Sequence, residues 1–237
     1  MVKCEPLSLK KEEKDAILEE ARLNNDFDYL LYSVLTTTGR RIGELYGKEE
    51  KRQIGVRKTG KKKKALYEGK EIEIERTIPI YKKLGKWKYG VKVKDIDFER
   101  GTMKVWVFKR GKDIQDESVL LPHILKLLNI YIKRNRLGLE DHVFRKEGRK
   151  YRNLNNILKK YAKEVKVPIE KTVGDARQSL SLHSFRHYFI TELKRLGWRD
   201  EDIMIATGHK TAAVLKTYSH IVPYDIKNKL IESVGEI

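Results

Sequence analysis

Basic and phenolic side chains recur at short spacing between residues 182 and 220. His183 and Arg186 lie three apart near the start of a predicted helix, so both can face one side, beside the positive end of the helix dipole. His209 follows a glycine at a predicted helix end, and Tyr218 lies nine residues further along. Arginine suits bidentate contact with phosphate oxygens, because its planar fork matches their geometry. The stretch is therefore better suited to holding a phosphate than to filling a core.

Each of these residues also has an ordinary interpretation. A surface histidine and arginine can simply form salt bridges, and a tyrosine is normally a core or rim residue. The order in which His183, Arg186, His209 and Tyr218 follow one another along the chain favours the phosphate site over these alternatives.

The helices that must position these residues can be predicted from apolar periodicity and capping residues. Ser181 is expected to cap a helix with the apolar stripe Leu182, Phe185 and Phe189. Residues 171–180 before it are expected to form a loop, and Gly138 to end an earlier helix. Helices are predicted to begin at or near the following residues: Ser8, Asp26, Arg40, Pro122, Asn153, Ser181, Asp200, Thr211 and Asp225.

Residues 46–94 differ in composition from the rest of the chain. They hold 17 Lys and Arg against 6 Asp and Glu, a net charge of +11 out of +18 for the whole chain. Isoleucines at positions 72, 74, 78 and 80 alternate with polar residues, which predicts strands and an inserted antiparallel ribbon. A lysine run at 61–64 lies in a glycine-flanked stretch, which is expected to be mobile when no partner is bound.

The bulk composition restricts the class of protein and of partner. The chain has 237 residues, 40% of them hydrophobic, and a single cysteine, Cys4, so no internal disulfide can form. Neither a long apolar run nor a signal-peptide pattern is present, which predicts a soluble cytoplasmic or nucleoid-associated protein. The charge of +18 indicates a polyanionic partner, nucleic acid rather than membrane. Simple solubility or non-specific RNA affinity is the alternative, and the abundance of Lys and Glu leans towards a hyperthermophile, such as an archaeon.

The chain resembles the tyrosine recombinases, the phage-integrase-like site-specific recombinases, in four motifs that occur in order. Their Thr-Gly-x-Arg-x-x-Glu-Leu motif is matched by residues 38–45, which places the family's arginine at Arg41 and its acid at Glu44. The His-x-x-Arg-His motif is matched at residues 183–187, and the Gly-His motif at residues 208–209. The C-terminal tyrosine motif is matched by Thr217-Tyr218-Ser219-His220.

This resemblance implies a fold and a set of roles. The fold is a mainly α, α+β catalytic domain with a small antiparallel sheet, here carrying the inserted basic segment. The implied chemistry is metal-free DNA cleavage and rejoining through a 3′-phosphotyrosyl link on Tyr218. The family also uses a lysine in a β-hairpin turn, for which Lys109 is the first choice and Lys112 the alternative. The implied catalytic set is Arg41, Lys109, His183, Arg186, His209 and Tyr218, supported by Glu44.

Two features depart from the family pattern. The helical DNA-clamping domain that usually precedes the catalytic domain is not expected here, either because the chain is a truncated piece of a longer protein or because it is a minimal protein with a reduced grip on DNA. Residues 1–237 are expected to form one catalytic domain. The insertion at residues 46–94 is a candidate for replacing part of that clamp. The implied partners are double-stranded DNA and further copies of the chain in a dimer or tetramer, with no cofactor, metal or membrane. DNA contacts are also predicted for these basic residues: Arg40, Lys61, Lys62, Lys63, Lys64, Lys112 and Lys210.

Three other functions share part of this pattern. A type IB topoisomerase uses a similar cluster and the same phosphotyrosine, but relaxes supercoils without exchanging strands between partners. A zinc hydrolase would use His183, His187 and His209 as ligands, but no acidic residue lies at zincin spacing and no cysteine pair is present. A non-catalytic DNA-binding accessory protein could share the scaffold, although every expected catalytic position is occupied.

Overall fold

The computed structural model describes residues 4–7, 9–67, 70–109, 112–146, 149–173, 176–208 and 230–231. Its contacts divide the chain into two units, one formed by residues 1–47 and 89–237 and the other by Lys48–Lys88. Among the described residues, no helix is both long and apolar enough to cross a membrane.

The first unit consists mainly of helices, which surround one buried helix. In chain order the helices are α1 Lys11–Asn24, α2 Asp26–Thr38, α3 Ile42–Tyr46, α4 Pro122–Arg134, α5 Leu154–Glu164, α6 Leu182–Arg195 and α7 Asp200–Thr207. Helix α2 packs against α1, α4 and α6. It is apolar on nearly every side, as expected for a helix surrounded by others, with Phe27, Leu30, Leu31 and Leu35 fully buried.

The strands of this unit form two small sheets, and those of the second unit form a ribbon. The strands are β1 Cys4–Pro6, β2 Lys48–Tyr67, β3 Lys70–Lys88, β4 Ile96–Asp97, β5 Thr102–Lys109, β6 Lys112–Val119, β7 Glu170–Val173 and β8 Ala176–Ser179. Strands β4, β5 and β6 form an antiparallel sheet, whereas β8 pairs in parallel with β1 and antiparallel with β7. The predicted α+β fold with small antiparallel sheets is confirmed.

Several predicted element boundaries are corrected. Asn25, not Asp26, caps α2, because its Oδ1 accepts hydrogen bonds from the backbone N–H groups of Phe27 and Asp28. The N-cap of α7 is Arg199 rather than Asp200, and α4 ends at Arg134, before Gly138. A loop is predicted over residues 171–180, but strands β7 and β8 pair there. The N-cap of α1 is Lys10 rather than Ser8, which lies outside the described residues, as do the predicted helix starts at Thr211 and Asp225.

The second unit, Lys48–Lys88, is an antiparallel ribbon of β2 and β3 that is shorter than the predicted insertion. Its register runs from the Lys48 and Lys88 pair to the Tyr67 and Lys70 pair, with shifts in three places. The lysine run at 61–64 lies within β2, and Lys62, Lys63 and Lys64 pair with β3, so the run forms part of the ribbon. The physical reason is cross-strand charge pairing, because alternate glutamates on β3 face this run.

A buried carboxylate fixes α2 within the first unit. Asp28 is 0% exposed. Its Oδ2 lies 3.0 Å from Nη2 of Arg149 and accepts a 2.8 Å hydrogen bond from the hydroxyl of Tyr161 on α5. Burial and the neighbouring Asp28 carboxylate raise the pKa of Tyr161, so the phenol stays protonated and donates. This network holds the helix whose C-terminal end carries Gly39.

We expect Asp28→Ala to lower the free energy of unfolding by about 2–4 kcal/mol, since it leaves a partly buried guanidinium and a phenol without their acceptor. The measurement is urea unfolding followed by circular dichroism. Asp26→Ala, which removes a carboxylate that is 38% exposed and paired with Lys146, is the control and should change stability by less than about 1 kcal/mol. Equal losses in the two variants would contradict the assignment.

Candidate active site

The corner between α2 and α3 depends on a glycine. Gly39 ends α2 in the left-handed region, with φ of +58°, and its N–H donates to the carbonyl of Leu35. A Cβ at this position would lie 2.5 Å from Cδ1 of Phe189 on α6. Neither the backbone conformation nor the space admits a larger residue, so α6 packs directly against the corner. The chain then turns and places Arg40 and Arg41 beside α6.

Arg186 joins the ends of two helices. It lies on α6, and its Nη1 donates to the carbonyl oxygen of Gly39 at 2.5 Å and to that of Thr207 at 2.9 Å. These carbonyls lie at the C-terminal ends of α2 and α7, where the helix dipoles concentrate negative charge. The side chain is 1% exposed. A buried cation is therefore held in place by backbone oxygens that come from distant parts of the chain.

Other charges near Arg186 act on it in opposite directions. Burial is the main cause that lowers its pKa, to about 9, and the cations of Arg41 and Arg40 lower it further. The carboxylate of Glu44 acts in the opposite sense. The guanidinium is still protonated at neutral pH, but several positive charges share a small volume. Such a cluster favours an added anion.

Arg41 and Glu44 form the accessible side of this cluster. Arg41 precedes α3, its side chain is 44% exposed, and its Nη1 lies 3.1 Å from Oε1 of Glu44. Glu44 is buried at 2%, and its Oε2 also accepts a hydrogen bond from the backbone N–H of Arg41. The acid therefore fixes both the backbone and the side chain of Arg41, as a positioning residue would.

Arg40 points inward rather than outward. It is 1% exposed, its Nη1 lies 2.9 Å from Oδ2 of Asp116 and its Nη2 donates to the carbonyl of Glu117. This placement contradicts the prediction that Arg40 contacts DNA, since a fully buried ion pair offers no surface to a phosphate. Instead, Arg40 ties strand β6 to the corner. A Cβ at Gly208 would lie 2.3 Å from its Nη1, so α7 also ends against this side chain.

His183 lies in the first turn of α6 and is only partly exposed. Burial is the main cause that lowers its pKa, to about 4, followed by the charges of His187, Arg186 and Arg41. The imidazole is thus neutral at pH 7 and can accept a proton. Its ring lies 5.1 Å from that of His187, so it shares a helix face with His187, whereas Arg186 points into the protein.

The start of α6 is held by a neighbouring helix. Oδ1 of Asn155 on α5 accepts a 2.9 Å hydrogen bond from the N–H of Leu182, and Oγ of Ser184 accepts one from the N–H of Ser181. One of the N–H groups at the positive end of the α6 dipole is therefore already occupied by an acceptor. The cations near His183 remain the main attraction for a phosphate.

The other predicted site residues lie at the edge of the described structure or outside it. Lys109 ends β5 and pairs in register with Lys112, the first residue of β6, so both lie at the turn of one hairpin. The positions of their side chains are not described, nor is that of Lys63 in the ribbon. His209, Lys210 and Tyr218 fall outside the described residues.

Sequence reasoning missed the residues that hold the cluster together. Asp116, Glu117 and Thr207 give Arg40 or Arg186 its partners, and Asn155 anchors α6. Asp116 lies 76 residues from Arg40 in sequence, so no local pattern marks the pair. Within the described ranges, no group of three or more His, Cys, Asp or Glu residues could hold a metal ion.

Similar solved structures share this fold. The crystal structure of XerA recombinase gives a TM-score of 0.57 at 18% identity and covers 98% of this chain and 65% of that one. The integrase from mycobacterium phage Brujita gives 0.56 at 14% identity, covering 99% and 60%. The lambda integrase(75-356) dimer bound to a COC′ core site gives 0.54 at 16% identity, covering 89% and 60%. The chain thus spans less than two thirds of the length of these structures.

The fold is that of the catalytic domain of tyrosine recombinases. The model of the phage integrase family matches residues 89–223, more than half of the chain, and the chain belongs to that family. No curated protein sequence matches it.

Arg40 and Arg41 should respond differently to the same substitution. Arg40→Met removes the buried cation that binds Asp116 and the Glu117 carbonyl, and should lower the free energy of unfolding by about 2–4 kcal/mol. Arg41→Met alters an exposed side chain, and Glu44 keeps its hydrogen bond from the backbone N–H of residue 41, so the loss of stability should be smaller. Urea unfolding of both variants is the measurement.

A repair variant separates charge from packing at Arg40. Adding Asp116→Leu to Arg40→Met removes the carboxylate that has lost this cation and should restore part of the lost stability. A loss of stability in Arg41→Met as large as that in Arg40→Met would show that the buried pair has no special role.

Proposed function

We propose that the chain is the catalytic part of a site-specific DNA recombinase that cleaves and rejoins strands through a phosphotyrosyl intermediate. The observation that carries the proposal is the cluster of Arg41, Arg186 and a neutral His183 around the corner that Gly39 forms. Fixed cations and a proton acceptor are what phosphodiester cleavage without a metal requires, because negative charge grows on the phosphoryl oxygens as the nucleophile adds. Membership of the phage integrase family supports the same reaction.

The roles follow from the chemistry of each group. Arg41, whose side chain is accessible, would hold a non-bridging oxygen, Glu44 keeps Arg41 in position, and the buried Arg186 would add its positive charge from beneath the phosphate. The Tyr218 hydroxyl would attack phosphorus and lose its proton to His183, which is neutral at pH 7. The bond from phosphorus to the 5′ oxygen would break as Lys109 protonates that oxygen. His209 would donate a hydrogen bond to the phosphate.

The covalent link conserves the energy of the broken bond. The products of cleavage would be a 3′-phosphotyrosyl end and a free 5′-hydroxyl. Attack by the 5′-hydroxyl of a second strand would reverse the step and release Tyr218. Repeating the exchange on four strands would recombine two duplexes.

The proposed partners are double-stranded DNA inside the cell and further copies of the chain. One solved neighbour is a lambda integrase tetramer bound to a Holliday junction, and another is XerH bound to its difH substrate. By analogy, this chain would act as a dimer or tetramer on DNA. Residues 1–237 would form one catalytic domain, in which the basic ribbon adds to the grip on DNA.

Tyr218→Phe should abolish the covalent protein–DNA adduct, because phenylalanine has no nucleophilic oxygen. The measurement is denaturing gel electrophoresis of protein incubated with a nicked, end-labelled duplex carrying the target site. The control is Tyr81→Phe, which removes the hydroxyl of an exposed ribbon tyrosine and should leave the adduct yield unchanged. An adduct in Tyr218→Phe that survives boiling in detergent would disprove this nucleophile.

Lys109→Ala should slow cleavage by about 10²–10⁴-fold if Lys109 protonates the leaving oxygen. A substrate with sulfur in place of the bridging 5′ oxygen needs no such acid, since a thiolate is a good leaving group, so the variant should cleave it within about tenfold of the wild-type rate. Single-turnover cleavage of both substrates is the measurement.

Lys112→Ala is the matched variant, at the position paired with Lys109 in the same hairpin. It should cleave both substrates at nearly the wild-type rate. A large defect in Lys112→Ala that the sulfur substrate repairs would move the role of general acid to Lys112.

A further inference from the structure

The ribbon has two chemically different faces, which its register defines. Side chains at alternate positions of a strand point to the same side, and directly paired residues share that side. On β3 this places Ile74, Ile78 and Ile80 together with Arg76 and Lys82. Arg57 pairs with Ile78, and Arg52 pairs with Lys82 across the strands. We name this side the isoleucine face, defined by Arg52, Arg57, Ile74, Arg76, Ile78, Ile80 and Lys82.

Part of the opposite side is a ladder of ion pairs, and Val56, Pro79 and Tyr81 lie further along the same side. Lys58 lies 3.1 Å from Glu75, Lys62 lies 3.1 Å from Glu73 and Lys64 lies 2.9 Å from Glu71. We name this side the ion-pair face, defined by these six residues. The predicted DNA contacts at Lys62 and Lys64 fall here, where each lysine already has a carboxylate partner.

Glu71, Glu73 and Glu75 therefore lie on the side of β3 opposite the isoleucine face. Because the three glutamates alternate with the isoleucines along β3, they all point the other way. The four cations of the isoleucine face are exposed, and none has an ion pair in the part of the chain that the structure describes. The row between them is apolar, with Ile78 46% and Ile80 42% exposed. An exposed row of this kind marks a surface that meets a partner.

Charge decides between two occupants of this face. A second ribbon packed face to face would bring four further cations against these four, with no acid between them, which like-charge repulsion opposes. Duplex DNA offers the opposite charge. The major groove, about 12 Å wide, admits a two-stranded ribbon, and apolar side chains can contact thymine methyl groups there. Arginine and lysine at the rim suit the flanking phosphates.

We propose that the isoleucine face of the ribbon lies in the major groove of DNA, with its arginines and lysine on the phosphates. This inference rests on the proposed function, since it assumes a chain that acts on DNA. It places the contact on Arg52, Arg57, Arg76 and Lys82 rather than on Lys62 and Lys64.

The test measures duplex binding by the full chain over a range of salt concentrations, using fluorescence anisotropy. The first variant is Arg52→Ala with Arg57→Ala and Lys82→Ala. The matched control is Lys58→Ala with Lys62→Ala and Lys64→Ala, which removes the same number of positive charges from the ion-pair face. Circular dichroism of both variants checks that the exposed substitutions leave the fold intact.

The isoleucine-face variant should flatten the slope of log affinity against log salt by about 2.7, or about 0.9 for each lost phosphate contact. The control should change the slope by less than about 1. Equal changes in the two variants would overturn the proposal, because they would show that only net charge matters. A change in oligomeric state without a change in slope would also overturn it, because the face would then bind a second copy.

Measurements on the wild-type chain distinguish a failure of the proposed function from a failure of the groove contact. If it binds no duplex and forms no adduct, the proposed function fails. If it binds and cleaves DNA while the isoleucine-face variant keeps the full salt slope, the proposed function stands and the groove contact fails.

Discussion

The candidate site depends on one buried cation that lies between the C-terminal ends of two helices. The guanidinium of Arg186 binds the carbonyls of Gly39 and Thr207, so α2, α6 and α7 meet at a single side chain. Helices α2 and α7 end at Gly39 and Gly208, which both have left-handed backbone conformations. A Cβ at either position would collide with a neighbour. The helices can approach this closely only because both positions lack a side chain.

A concentration of like charge follows from this arrangement. Arg40, Arg41 and Arg186 lie close enough to affect one another, and Asp116 and Glu44 each pair with one of them. Burial, together with the repulsion that remains, lowers the pKa of both Arg186 and His183. A bound phosphate would reduce this repulsion. The clustered cations make the folded protein less stable, and binding of an anion would offset part of that loss. The same field keeps His183 neutral and able to accept a proton.

Much of the fold could be predicted because its signals are local. Helical periodicity and a capping serine are enough to locate α6, and the alternation at residues 72–80 is enough to predict a strand. The failures have physical reasons. Strand β2 lacks a clear alternation of apolar residues, and it is its pairing with β3 that makes the lysine run regular. The β7–β8 pair is short and polar, so it resembles a loop in the sequence.

The site shows the same limit. Arg41 and Arg186 are identified by motifs, whereas the burial of Arg40 depends on Asp116, 76 residues away, and could not be read from Arg40 or its neighbours. The central claim is that Arg41 and Arg186 neutralise charge on the phosphoryl oxygens. The most direct test replaces one non-bridging oxygen of the scissile phosphate by an uncharged methyl group and measures cleavage by Arg41→Ala and Arg186→Ala. If both arginines neutralise this charge, the cleavage defect of both variants should be much smaller on the methylphosphonate than on the natural phosphodiester. An equal defect on both substrates would contradict this role.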